Sequence, residues 1–245
     1  MEQKPFRFEF KYVIDPLTAR LVELDVLRFG MTKDPEVPAG QEEYVVSSLY
    51  FDSLLLGDYY DKAGGFPHRK KIRARMYDTI FSKATPHVWF EIKEKHDMAI
   101  GKKRLKLTNE QWCRISGGEL IDPAKEGWSD THRSVWNEIR WYTALEGRKP
   151  MVFVRYVRKP YVTRFLSDIR VTFDSNIEAC KSDNLLYADG MVPIAERSVI
   201  LEVKYSKALP YWWGEIVRKH NLSRTSFSKY AEGINAAYRY HALPR

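Results

Sequence analysis

The stretch "KKIRARMYD", residues 70–78, decides the reading of the fold. Lys71, Arg73 and Arg75 alternate with Ile72, Ala74 and Met76. Side chains of a strand project to opposite faces with a period of two, so one face here is cationic and the other apolar. A single strand of this kind needs no explanation beyond a half-buried sheet with its charges in water. The pattern gains meaning only if other strands repeat it.

They do. In "FRFEFKYVI" (6–14), Arg7, Glu9 and Lys11 oppose Phe6, Phe8, Phe10 and Tyr12. In "HVWFEIKEK" (87–95), Glu91, Lys93 and Lys95 oppose Phe90 and Ile92. In "KKRLKL" (102–107), Lys102, Arg104 and Lys106 oppose Leu105 and Leu107, with Lys103 out of phase. "MVFVRYVRKPY" (151–161) contributes Arg155, and "DIRVTFD" (168–174) sets Arg170 and Asp174 against Val171 and Phe173. "SVILEVKYS" (198–206) sets Glu202 and Lys204 against Leu201, Val203 and Tyr205. The set holds thirteen basic and four acidic side chains, an excess of nine, while the whole chain carries +8. The positive excess therefore lies on one face of the strands.

Helical signals fall between the strands. "DPLTARLVELDVLRFG" (15–30) offers Asp15 as a cap, Pro16 in the first turn and Gly30 as a stop. "TNEQWCRISGG" (108–118) starts on a Thr cap, and 129–145 carries Val135, Trp136, Ile139 and Tyr142 on one side. Further helices are read at 53–65, 210–221 and 226–241, and "EYVVSSLYFD" (43–52) is another strand. Helices cover the apolar face. An open cationic face would repel itself, whereas a closed sheet turns those positions inward. Uncompensated buried charge costs several kcal/mol per group, so such an interior demands a polyanion. The expected fold is α+β: a closed antiparallel β-tunnel of about eight strands with helices packed on the outside.

The 245 residues, 44% hydrophobic, suffice for a full core, and no linker composition divides them, so one domain over 1–245 is expected. Cys113 and Cys180 lie far apart, and the six histidines lack ligand spacing, which indicates neither a disulfide framework nor a structural zinc site. No signal-like or membrane-spanning apolar run occurs, and the expected location is cytoplasmic. Attachment through a membrane partner protein stays open. The basic balance points to polyanions. A nucleic-acid-binding sheet would show aromatic residues on its cationic face, and few stand there, so no nucleic-acid partner is expected.

The motifs "FKYVI", "SSLYFDS", "KIRARMY", "WFEIKEK", "VRYVRKPY", "RVTFDSNI", "ILEVKYS" and "SFSKY", in this order over nearly the whole chain, resemble the VTC domain of polyphosphate polymerases. That domain belongs to the CYTH-like, or triphosphate tunnel metalloenzyme, superfamily. The resemblance implies a tunnel in which Lys11, Arg73, Arg75, Lys93, Arg155 and Arg170 bind phosphate. It implies that Glu202 holds a divalent metal, Mn²⁺ or Mg²⁺, beside Lys204. Ser228 and Lys229 match a helical pair that closes on the phosphate. Arg73, Arg75, Lys93, Lys204 and Lys229 are the expected catalytic groups. In "GKKRLKL" parity favours Lys102 and Arg104 over Lys103 as phosphate ligands.

The eukaryotic members add a regulatory helical domain and a membrane segment, and neither is seen in this sequence. The hydrolytic branch begins Glu-x-Glu-x-Lys, whereas this chain reads Arg7-Phe8-Glu9-Phe10-Lys11. Fewer carboxylates leave less capacity to activate water, which tilts the expectation from hydrolysis toward transfer. Glu9 reads equally as a second metal ligand or as an ion-pair partner, as does Glu91. Lys95 and Lys106 read as solvated, Asp174 as a turn residue, Ser228 equally as a helix cap, and "YWW" (211–213) as helix–sheet packing. The expected activity is metal-dependent transfer of a nucleotide γ-phosphate to a polyphosphate chain. The substrates implied are a nucleoside triphosphate and inorganic polyphosphate or triphosphate. A tunnel triphosphatase and a non-catalytic polyphosphate-binding protein are the alternatives.

Overall fold

The alternating segments form ten strands of one antiparallel sheet. A computed structural model describes residues 8–97, 99–163 and 169–242. Phe6 and Arg7, and the part of the strand expected near 162–166 that follows Thr163, lie outside the described residues. The strands are β1 (Phe8–Ile14), β2 (Met31–Lys33), β3 (Tyr44–Asp52), β4 (His68–Met76), β5 (His87–His96), β6 (Ala99–Thr108), β7 (Lys149–Thr163), β8 (Arg170–Lys181), β9 (Val192–Pro193) and β10 (Val199–Tyr205). Their order across the sheet is β1-β10-β8-β7-β3-β4-β5-β6, with the short β2 on β7 and β9 on β8. The first strand thus pairs with the last, Lys11 lying opposite Glu202.

Six helices accompany the sheet among the described residues: α1 (Pro16–Arg28), α2 (Gly57–Ala63), α3 (Asn109–Ser116), α4 (Asp130–Arg140), α5 (Tyr211–Lys219) and α6 (Lys229–Ala242). Local chemistry sets their ends. Asp15 accepts from the Thr18 amide at 2.9 Å, Pro16 opens α1, and Gly30 follows it at φ +81°. Thr108 and Gln111 form a reciprocal capping box on α3. A cap of this kind contributes about 0.5–2 kcal/mol. The helix expected over 129–145 is α4 extended by a π-helical turn, Trp141–Leu145.

The apolar strand face is covered as expected. Ile72, Ile92, Leu105 and Leu107 are fully buried against Trp112 of α3 and Ile139 of α4. Each such side chain stabilises the fold by about 1.5–3 kcal/mol. Val171, Leu201 and Val203 pack on α1 through Val22 and Val26 and on α5 through Trp213 and Ile216. The "YWW" tryptophans are therefore packing residues.

Two features differ from expectation. The hydrogen-bonded path has two free edges, β1 and β6, which approach each other without a ladder among the described residues. The sheet curves until Lys93 on β5 reaches Glu9 on β1 at 3.2 Å, but backbone closure is not formed. Glu9 bridges the gap through its side chain, pairing with both Lys11 and Lys93. Second, not every helix lies outside. α6 packs on the concave face, where Tyr230, Ile234 and Ala237 meet Val154, Tyr156 and Ala179. Gly233 permits the approach: a Cβ there would stand 3.1 Å from Val154 and 3.3 Å from Ala179. No helix among the described residues is long and apolar enough to cross a membrane.

Candidate functional site

Curvature turns the cationic parity of the strands inward, around a cavity of about 410 Å³. Twelve lysines and arginines line it against two carboxylates, Glu9 and Glu202. Of the expected residues, Lys11, Arg73, Arg75, Lys93, Lys204, Glu9, Glu202, Ser228 and Lys229 are brought together there.

Glu202, on β10, is the centre of the ion network. Its carboxylate lies 3.2 Å from Lys11, 3.0 Å from Lys204, 3.2 Å from Lys229 and 3.8 Å from Arg158. Burial alone would raise its pKa; Lys11, Lys229, Lys204 and Arg158 reverse that and hold it well below the usual range. Glu9 is buried in the same way, and Lys11 at 2.9 Å and Lys93 at 3.2 Å overcome that burial and hold it low. Lys229 reaches in from the first turn of α6 and binds Asp174 at 2.5 Å. Arg158 grips the same Asp174 with two bonds of 2.7 Å. Asp174 is thus no turn residue; it is fully buried between two cations.

On β4, Arg73 bonds Glu91 at 2.7 Å and the Tyr50 hydroxyl at 3.3 Å. Arg75 bonds Ser48 and the Tyr156 hydroxyl, and Lys102 pairs with Glu91. Lys71 bonds only neutral groups: its ammonium donates to the Ser228 hydroxyl at 2.5 Å and lies 5.3 Å from the Tyr230 ring centroid. Burial, with Lys93 and Lys11 adding repulsion, pushes Lys71 well below the ordinary lysine range. Lys102, 36% exposed and outside the cavity lining, is also lowered, first by desolvation, with Glu91 opposing and Arg73 and Arg75 adding repulsion. In Lys11 and Lys229 carboxylates outweigh burial and raise the pKa.

Other expected residues fall elsewhere. Arg155 points away from the cavity and pairs with Glu178 at 2.5 Å. The inward position on β7 belongs to Arg158. Alternation does not choose between them, because Val152, Phe153 and Val154 are all fully buried and the apolar run covers both faces of β7. Arg104 keeps the inward parity but lies over the Trp89 ring, 4.3 Å from its centroid. Arg170 turns to Asp34 at 3.0 Å and to Tyr44. Lys95 lines the cavity, contrary to its solvated reading. Tyr50, Tyr156, Arg158 and Lys71 are the residues the motif reading missed as ligands; for Lys71, its alternation with Ile72 was the available signal.

Among the described residues no three His, Cys, Asp or Glu side chains stand together as a cation cage. Glu202 and Glu9, which share Lys11, nevertheless fit a hard divalent cation. Mg²⁺ is usually held by one or two carboxylates plus substrate phosphate oxygens and water. The donor set is of that kind, and the phosphate would supply what the protein lacks.

The fold has known counterparts. A candidate adenylate cyclase from Bacillus halodurans superimposes with a TM-score of 0.52 at 10% identity, over 92% of this chain and 95% of that one. A candidate adenylyl cyclase from Hippeastrum with a dominant triphosphatase activity gives 0.49 at 17% identity, over 98% and 97%. A Pyrococcus horikoshii protein gives 0.47 at 11%, over 96% and 99%. No curated protein matches the chain. The VTC domain family model matches residues 6–238, from the first cationic strand to the helix that carries Lys229 into the cavity, and the chain belongs to that family.

Proposed function

We propose that the protein is a polyphosphate polymerase-like phosphotransferase that moves a nucleotide γ-phosphate onto a polyphosphate chain held in this cavity. One observation carries the reading: twelve cationic side chains converge on a space with two carboxylates, and the half-buried Lys71 bonds there to a neutral hydroxyl, with no carboxylate partner among the described residues. Such a site is stable when a polyanion fills it. A volume of about 410 Å³ suits a small phosphate chain rather than a duplex. Family membership supports phosphate-chain chemistry as the class.

Phosphoryl transfer needs positioning and charge stabilisation more than covalent help. A terminal phosphate oxygen of the acceptor attacks the γ-phosphorus. The bond to the β,γ-bridging oxygen breaks, and a nucleoside diphosphate leaves with that electron pair. Arg73 and Arg75 offer planar forks to the transferring oxygens, while Lys93, Lys204 and Lys229 supply point charges. Lys11, Lys71 and Arg158 hold the rest of the chain in the cavity, with Lys102 beyond its lining. Glu202, with Glu9, would hold Mn²⁺ or Mg²⁺, which supplies Lewis-acid neutralisation of phosphate charge when bound.

The test is incubation of the pure protein with ATP and Mn²⁺, scoring long-chain polyphosphate and free phosphate separately. Polymer supports the proposal. Free phosphate without polymer replaces it with a triphosphatase. Tight triphosphate binding with neither product replaces it with a binding protein, a reading favoured by the four cations that already surround Glu202.

A further inference from the structure

The inner face is not uniform along its length. Toward one end β4 and β5 place Arg69 and Lys95 opposite each other, and Lys62 stands nearby, bonded to Ser226 at 2.9 Å. Toward the other end, beyond the cavity lining, the same parity gives Trp89 on β5 and Tyr77 just past the end of β4. Trp89 lies directly opposite Arg75 on one side and Lys106 on the other. Its ring has Arg104 over it at 4.3 Å, Lys106 at 5.7 Å and His87 edge-on at 5.4 Å. Tyr77, 46% exposed, meets Tyr44 edge-on at 5.4 Å. The polyanion chemistry assigned to the cavity uses none of these rings.

We propose that Trp89 is the stacking platform for the nucleobase of the bound nucleotide, with Tyr77 beside it, so that the nucleoside enters at this end and the phosphate chain runs toward Lys95 and Arg69. This rests on the reading of the cavity as a nucleoside triphosphate site. Three facts converge on it. Trp89 precedes Glu91 on the same face by two residues, about 7 Å along the strand, with Arg75 across from Trp89, Arg73 across from Glu91 and Lys71 across from Lys93. A ribose and one phosphate span a comparable length, so a base on Trp89 leaves the phosphates beside Arg73 and, two residues on, Lys71 and Lys93. The ring face is already paired with a guanidinium, a flat cation that stacks with bases as it stacks with indole. The opposite end offers Arg69, Lys95 and Lys62, which match a repeating anion. Stacking recognises any base by its π-face, so the platform selects for a nucleoside and discriminates weakly among bases.

The test compares Trp89→Ala and Trp89→Phe with wild type, measuring binding of ATP, CTP and inorganic triphosphate by calorimetry, with thermal unfolding as a check of folding. Trp89→Ala is expected to weaken ATP and CTP about tenfold and to leave triphosphate within twofold, and Trp89→Phe to restore most of the loss. Equal loss of ATP and triphosphate in the folded Ala variant overturns the inference, because the ring would then only support Arg75. Unchanged ATP affinity overturns it as well, as does a wild type that binds triphosphate but not ATP. The broader reading fails separately. A base-selective loss with no turnover of ATP keeps the platform and removes the polymerase; polymer formation untouched by Trp89→Ala does the reverse.

Discussion

Replacing Glu202 by Gln should separate the stability of the empty protein from its affinity for phosphate, in opposite directions. The carboxylate is 5% exposed and lies within 4 Å of Lys11, Lys204, Lys229 and Arg158. Gln keeps the shape and removes the charge. Breaking a buried ion pair by deleting one partner costs about 3–5 kcal/mol, because the remaining charge stays buried without compensation. Glu9 still serves Lys11, and Asp174 still serves Lys229 and Arg158, which places the loss toward the lower end of that range. The four cations then lack their shared anion, and triphosphate supplies one. The ligand should therefore bind the variant at least as tightly as wild type without metal, and at a hundredfold excess over Kd it restores about 2.7 kcal/mol. Turnover with ATP and Mn²⁺ should collapse, since Glu202 is the proposed metal carboxylate. Urea unfolding with and without triphosphate, calorimetry and the turnover assay report these effects separately. An empty variant as stable as wild type, or one that triphosphate stabilises less than wild type, refutes the electrostatic account. Wild-type turnover in Glu202→Gln refutes the metal assignment.

Arg73→Ala should weaken triphosphate binding tenfold or more, roughly the 1.5–3 kcal/mol of a hydrogen bond to a charged group. Arg155→Ala should leave that affinity within twofold in the same titration; a tenfold loss would return Arg155 to the site. Triphosphate binding favours the charged form of Lys71, whose pKa burial lowers in the free protein. Where the free protein has lost this proton, binding takes it up, and affinity falls as pH rises through the lowered pKa. Calorimetry at pH 8 should show a binding enthalpy that depends on the buffer's heat of ionisation, and a buffer-independent enthalpy would contradict the sign. Triphosphate should outcompete duplex DNA of equal charge at every salt concentration, and equal DNA binding would remove the enclosed site.

The sheet was legible because most strands have one apolar and one cationic face, and Arg73, Arg75, Lys93, Glu202 and Lys204 follow from parity alone. Parity fails where an apolar run covers both faces. In β7 the arginines at 155 and 158 differ by three, so they occupy opposite faces, and nothing in their buried neighbours says which is inward. In β8 a register shift, with Asn176 at φ +49°, turns Glu178 outward to meet Arg155 although it shares sequence parity with Asp174. The burial of Asp174 depends on Arg158 and on a helix 55 residues later, a tertiary fact without local signature. The position of α6 on the concave face is of the same kind. Its apolar side resembles that of the outer helices, and Gly233 marks the close approach only once the partner strand is known.

The pairing of β1 with β10 has a consequence for how the chain is made. Residues 8–14 leave the ribosome well before their ladder partners at 199–205, which follow about 190 residues later. At roughly 5–20 residues per second, β1 waits on the order of ten seconds or longer before it can pair. The β3–β4 and β4–β5–β6 hairpins close locally in the meantime. The nascent sheet is therefore an open cationic surface for most of its synthesis, with Glu202 and α6 still to come. During that interval any cellular polyanion in reach, including the ribosome's own RNA, is a competing partner for it.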